Sequence, residues 1–171
     1  MRVAVVRGLF DPAACAVLGA AIARLALPRI SGRQATGYDK ADLVAAAGRD
    51  ATVDVAVAQL VAVLGRPAAY DAWWLSYPDG SHIPPHTDES PAPGLAHVRV
   101  NVVITKDGGG VLRCDDQVVD LAVGDAVVFR PDVVVHAVSA VVGAPRLVLS
   151  VGTVMAVGDA ERLIDAARRQ K

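Results

Sequence analysis

Four histidines occur in the 171 residues, His82, His86, His97 and His136, and two of them stand where they can hold a metal ion. His86-Thr87-Asp88 places an imidazole and a carboxylate two positions apart. On an extended segment, side chains at i and i+2 point to one face, so both can grip one ion. His136 follows Asp88 by 48 residues, inside the apolar run Val133-Val134-Val135-His136-Ala137-Val138. An imidazole there is buried or nearly so and needs partners. Two His and one carboxylate on one face of a barrel make the facial triad suited to non-haem Fe(II), which leaves three coordination positions open. Taken singly, each piece has a plainer meaning: a chance His-x-Asp, and a hydrogen-bonded core histidine.

Arg146 changes those odds. It opens Arg146-Leu147-Val148-Leu149-Ser150-Val151, ten residues after His136, with Gly143-Ala144-Pro145 between them. The spacing predicts an antiparallel hairpin of 133–140 with 146–155. Arg146 then sits opposite Ala140, on the face of His136 and about 13 Å along from it. A five-carbon diacid, bound to metal at one end and guanidinium at the other, fills that gap; an exposed Arg at a strand mouth is the alternative. Tyr77, nine residues before His86, either gives the same ligand a second hydrogen bond or is a core or rim tyrosine.

The segment His97-Val98-Arg99-Val100-Asn101-Val102-Val103-Ile104 alternates. His97, Arg99 and Asn101 share one face, and Val98, Val100, Val102 and Ile104 the other, so one face packs and the other meets water or a polar cavity. In the second case it lines the pocket of His86 and Asp88. Arg99 then suits a carboxylate on the primary substrate, which makes an amino acid or related acid the expected substrate.

The elements that position these residues change texture near residue 70. Asp11-Pro12 caps a helix to about Leu25. Lys40–Ala47 and Ala51–Leu64 read as two more helices, and Met1–Val6 as a short edge strand. Strands are expected near 70–77, 97–104, 110–114, 117–121, 125–130, 133–140 and 146–155, with an extended piece at 86–88. Gly108-Gly109-Gly110, Asp115-Asp116, Gly124-Asp125 and Gly143-Ala144-Pro145 turn the chain between them. A last helix runs from Gly158-Asp159 through Arg169. The expectation is one α+β, mainly β domain over 1–171. Its parts are a helical N-terminal support (1–68), a jelly-roll or cupin-like double-stranded β-helix of about eight strands (69–157), and a C-terminal helix (158–171). The N-terminal helices should pack on one sheet. Strand count alone fits another β-sandwich equally well.

Composition narrows the function. Seventeen basic and eighteen acidic side chains give a net charge of −1, without the basic excess of a nucleic-acid binder. No apolar run reaches membrane-spanning length. Arg7 and Asp11 break the N-terminal segment early, so no signal peptide is expected and the location expected is cytoplasmic. Cys15 and Cys114 form no CxxC pair and read as two reduced thiols.

From Trp73 to Val154, about half the chain, the sequence resembles the Fe(II)/2-oxoglutarate-dependent oxygenase superfamily, closest to its prolyl-4-hydroxylase-like branch. The resemblance rests on Tyr77-Pro78-Asp79-Gly80, Pro85-His86-Thr87-Asp88, Arg99-Val100-Asn101 and Gly108-Gly109-Gly110. It continues in Gly124-Asp125-Ala126-Val127-Val128-Phe129, His136-Ala137-Val138 and Gly143-Ala144-Pro145-Arg146. It implies Fe(II) held by His86, Asp88 and His136, and 2-oxoglutarate with its far carboxylate on Arg146, assisted by Tyr77. Asn101 and Ser150 are further candidates for that cosubstrate. Many relatives have Ser or Thr two residues after the Arg, where this chain has Val148; Ser150 lies two further along on the same face. The resemblance implies a reaction that consumes dioxygen, with ascorbate as a stimulant, and hydroxylates an aliphatic C–H while 2-oxoglutarate becomes succinate. Asp88 argues against halogenation, which needs that carboxylate gone. A small metabolite is the leading substrate class. A peptidyl side chain, and a non-catalytic or other-metal cupin-like binding protein, are the alternatives.

Overall fold

The computed structural model describes residues 2–107 and 109–169. Met1, Gly108 of the expected glycine turn, Gln170 and Lys171 lie outside them. In chain order the elements are β1 (Val3–Val6), α1 (Pro12–Leu25), β2 (Ile30–Ser31), β3 (Asp39–Asp42) and α2 (Ala51–Val63). There follow β4 (Asp71–Tyr77), β5 (Ile83–His86), β6 (Leu95–Thr105), β7 (Leu112–Cys114), β8 (Gln117–Val119), β9 (Ala126–Phe129), β10 (His136–Val138), β11 (Arg146–Ala156) and α3 (Val157–Arg169). The larger sheet has the order β1-β9-β6-β11-β4-β3-β2 and the smaller β5-β10-β7-β8. Strands β4 to β11 thus divide into two four-stranded halves, the pattern of a double-stranded β-helix. Strand β1 extends the larger half on one edge and β3-β2 on the other.

Alternation sets which face does what. Ala96, Val98, Val100, Val102 and Ile104 of β6 join Leu149 and Val151 of β11 and residues of α1, α2 and α3 in one buried cluster. The helices therefore cover one face of the larger sheet. The other face, with Arg99, Asn101, Arg146, Val148 and Ser150, looks into a cavity between the sheets. The helices begin where side chains satisfy free backbone amides: Asp11 accepts from Ala13 N, and Asp50 from Thr52 N and Val53 N.

Two expectations are corrected. Residues 40–47 are not a helix. Strand β3 pairs with β4 through Asp39↔Ser76, Lys40↔Leu75, Ala41↔Trp74 and Asp42↔Trp73. The open edge of β4 offers backbone hydrogen bonds, and Ala41 gains burial there, so tertiary pairing outweighs the helical propensity of the segment. After Asp42, whose carboxylate accepts from Val44 N and Ala45 N, the chain makes only a turn.

The hairpin of 133–140 with 146–155 does not form either. Strand β10 lies between β5 and β7, whereas β11 lies between β6 and β4 in the other sheet. Residues 139–145 carry the chain across, tied by Gly80 N to Val141 O, Val141 N to Ser81 O and Gly143 N to the Asp79 carboxylate. Arg146 therefore stands opposite Tyr77, not Ala140. Strand β10 is short because Val133 N and Val134 N both bond Arg130 O in a turn, which the buried Arg130–Asp132 ion pair at 2.7 Å braces. The extended piece expected at 86–88 shares only His86 with a strand, since β5 runs Ile83–His86 and ends there.

Candidate metal centre

Strand pairing brings the two candidate ligand histidines together. His86, the last residue of β5, is the register partner of His136, the first of β10, and their ring centroids are 4.2 Å apart. Asp88 lies just beyond, its backbone N–H held by Pro131 O at 2.8 Å. One donor atom from each of His86, Asp88 and His136 fits within 4.8 Å of the others. His86 Nδ1 lies 2.9 Å from Pro84 O, and His136 Nδ1 3.1 Å from Val134 O. A carbonyl only accepts, so these contacts assign the proton to Nδ1 and leave the Nε2 lone pairs for a metal. Burial holds the His136 imidazole below its ordinary value, a direction that favours the neutral form a ligand needs. Donor set and tautomers both fit a divalent ion.

The cavity around this trio holds about 310 Å³ and is also lined by Tyr77, Arg99, Asn101, Arg146 and Ser150. All eight residues singled out in the sequence therefore face one space. At one end Arg146 is 4% exposed. Its Nε has no hydrogen-bond partner among the described residues, and the Tyr77 ring is 5.4 Å away. Burial pulls its guanidinium below the ordinary value and pushes the Tyr77 phenol up to about 12, so Tyr77 remains a donor. Gly110 gives Arg146 its room: at φ +67°, a Cβ there would lie 2.8 Å from Arg146 Cδ.

The other end is crowded with charge. Arg99 Nη1 donates to Ser150 Oγ at 2.8 Å, and Nη2 meets the Asp71 carboxylate at 2.9 Å. Gly152 makes way, since a Cβ there would lie 2.7 Å from Arg99 Nη2. Ser150 is thus engaged with Arg99, four residues along β11 from Arg146. Asn101, its register partner, has a buried Oδ1 with no hydrogen bond among the described residues. Burial, then the neighbouring Arg99, lowers the His97 imidazole.

Four residues that line the cavity were missed in the sequence: Arg33, Gln34, Tyr38 and Lys40. They sit on β3 and the loop from β2. Gln34 Nε2 is 2.9 Å from His86 Nε2, Tyr38 donates to Gln34 Oε1 at 2.6 Å, and Arg33 Nη2 is 3.4 Å from Asp88. The loop thus supplies donors to the lone pairs a metal would use. Nothing in its composition marks it; only the pairing of β3 with β4 brings it over the centre.

No protein-family model and no curated protein matches the sequence. Solved structures do. A prolyl hydroxylase from Trichoplax adhaerens, in complex with a hypoxia inducible factor peptide fragment, superposes with a TM-score of 0.73 at 13% identity, covering 94% of this chain and 86% of its own. A Pseudomonas putida prolyl-4-hydroxylase gives 0.69 at 19%, covering 88% and 90%. The chain has the prolyl-hydroxylase fold. HygX from Streptomyces hygroscopicus, with nickel and 2-oxoglutarate bound, shares this prolyl-hydroxylase fold at 0.69 and 13% identity, covering 91% of this chain and 83% of its own.

Proposed function

We propose that the protein is an Fe(II)- and 2-oxoglutarate-dependent dioxygenase that hydroxylates an aliphatic C–H of a small molecule, an amino acid or related acid. The observation that carries the reading is Arg146, a buried guanidinium with no carboxylate partner among the described residues, at one end of the cavity that holds the two-histidine, one-carboxylate cluster. A cupin that used metal alone would have no need of that charge. HygX, which holds 2-oxoglutarate, shares the fold and supports the cosubstrate.

In this reading His86 and His136 bind the ion through Nε2, and Asp88 through its carboxylate. Arg146 pairs with the far carboxylate of 2-oxoglutarate, and the Tyr77 hydroxyl donates to it. Leu112, Val138 and Val148 line the same cavity, and such apolar walls would help exclude water. Asn101, level with Ser150 between the two strands, lines the same cavity. Ser150 acts on Arg99, whose remaining N–H groups face the primary substrate. The bound iron supplies dioxygen activation coupled to decarboxylation. The balance is one 2-oxoglutarate, one dioxygen and one C–H consumed for one succinate, one carbon dioxide and one alcohol.

A peptidyl substrate is the second reading, favoured by the Trichoplax neighbour with its peptide fragment. The test is succinate formation from 2-oxoglutarate with Fe(II), dioxygen and ascorbate, screened over free amino acids and peptides. Stimulation by a free acid supports the proposal. Stimulation by peptides alone moves the substrate to a protein side chain, and no succinate under any condition refutes the activity.

A further inference from the structure

The strand that replaces the expected helix at residue 40 turns Lys40 into the cavity. Lys40 pairs with Leu75 on β4, and both side chains line that space. Its ammonium lies 4.3 Å from the centroid of the Trp73 ring. A cation over an indole is held in place without being neutralised.

The other cavity cations differ. Arg99 is balanced by Asp71, Arg33 lies within 3.5 Å of Asp88 and Glu89, and Arg146 sits at the opposite end with Tyr77. Lys40 makes no ion pair among the described residues. Four basic side chains thus meet three acidic ones. A divalent ion and the 2-oxoglutarate dianion cancel each other, so one positive charge is left over. One carboxylate closes the balance.

We propose that Lys40, held over Trp73, docks a carboxylate of the primary substrate, with Arg99 supplying hydrogen bonds but not the open charge. This rests on the hydroxylase reading only in calling the ligand a substrate. Neither Lys40 nor Trp73 is a metal or cosubstrate residue in that reading, so binding can be measured apart from turnover.

The probes are the free L-amino acids and their C-terminal amides, which differ in the carboxylate while keeping the ammonium. They are titrated into protein holding manganese(II) and 2-oxoglutarate without dioxygen, and binding is followed by tryptophan fluorescence. Trp73 and Trp74 are the two tryptophans, and Trp73 lies against the proposed site. At least one acid should bind about tenfold or more tighter than its amide, the discrimination expected of one charge-assisted contact. Lys40→Met keeps the stem over the indole and should bring acid and amide together. Lys40→Arg should restore part of the preference. Melting curves establish that each variant folds, and Lys40→Gln replaces the Met variant if that one does not. A wild-type protein that never prefers an acid to its amide overturns the proposal, as does a folded Lys40→Met that keeps the preference. Absence of succinate formation by the wild type instead strikes the hydroxylase reading, whatever the binding preference.

Discussion

Arg146 and Arg99 project from neighbouring strands into one cavity, yet they are held in opposite ways. Arg146 is 4% exposed, with an Nε that has no hydrogen-bond partner among the described residues and an aromatic ring beside it. Arg99 has Asp71 on one amino group and Ser150 on the other. A buried guanidinium without an anion is costly, and a fold retains one where a ligand supplies the anion. A guanidinium that brings its own carboxylate is settled before any ligand arrives. One end of the cavity is incomplete by construction; the other is complete except for the charge of Lys40.

The cluster of ligands between the two ends should matter most. His86→Ala, Asp88→Ala and His136→Ala are each expected to cut succinate formation below about one hundredth of wild type, since even outer-shell changes at metal sites cost 10–100-fold. Folding should survive, because all three side chains are only partly buried. Near-normal activity in all three would remove the divide on which the comparison depends.

The next test is a difference in sign. Arg146→Met should raise the ligand-free stability by ~1–4 kcal/mol, the range for replacing buried ionic groups with apolar ones. Arg99→Met should lower it by about 1 kcal/mol, as expected for a pair whose acidic partner is 41% exposed. Urea denaturation of both variants reads this directly. The same sign in both would mean that Arg146 is satisfied in a way the structure does not show. Gly110→Ala sharpens the point from the backbone side. The new methyl meets Arg146 Cδ at a φ of +67°, so it should lose roughly 1–2 kcal/mol to the left-handed backbone and weaken 2-oxoglutarate binding. Affinity at the Arg99 end should not follow it.

Alternation puts Arg99 on the polar face of its strand, and that face lines the cavity. Polar and aliphatic residues take turns along β6, and the faces of such a strand cannot be exchanged without burying Arg99 and exposing four aliphatic side chains. On β11, Arg146, Val148 and Ser150 share a face for the same reason. The route to Arg146 was nevertheless wrong. A Gly-Ala-Pro turn reads as a hairpin, whereas residues 139–145 cross between sheets, and local sequence carries no signal for a crossing whose partners lie 60 residues upstream, at Asp79, Gly80 and Ser81. Residues 30–42 were illegible for a second reason. Strands β2 and β3 have two and four residues, too few to establish a period, and Asp39-Lys40-Ala41-Asp42 suits a helix until β4 offers its edge. The loop that bears Gln34 and the strand that bears Lys40 are therefore features of tertiary structure.

The smallest effect on ligand binding is expected outside both ends, where Asp125 serves as a control. Asp125 accepts from Gly8 N, Ala122 N and Arg7 Nη1. Burial works to raise its carboxyl, but these bonds prevail and hold it below the ordinary 3.8. With the folded value below the unfolded one, the stabilisation is complete above 3.8 and is lost as pH falls through the folded value. Asp125→Asn should cost about 1–3 kcal/mol at neutral pH and flatten the acid limb of the stability curve. Ligand affinity at either end should stay unchanged.

The most direct test is calorimetric titration of 2-oxoglutarate into protein loaded with manganese(II), without dioxygen, for the wild type and Arg146→Met. The account predicts one 2-oxoglutarate per chain and an affinity roughly a hundredfold weaker in the variant, as expected when a buried charge-assisted pair is lost. Equal affinity in the two proteins, or no binding to the wild type, would contradict it.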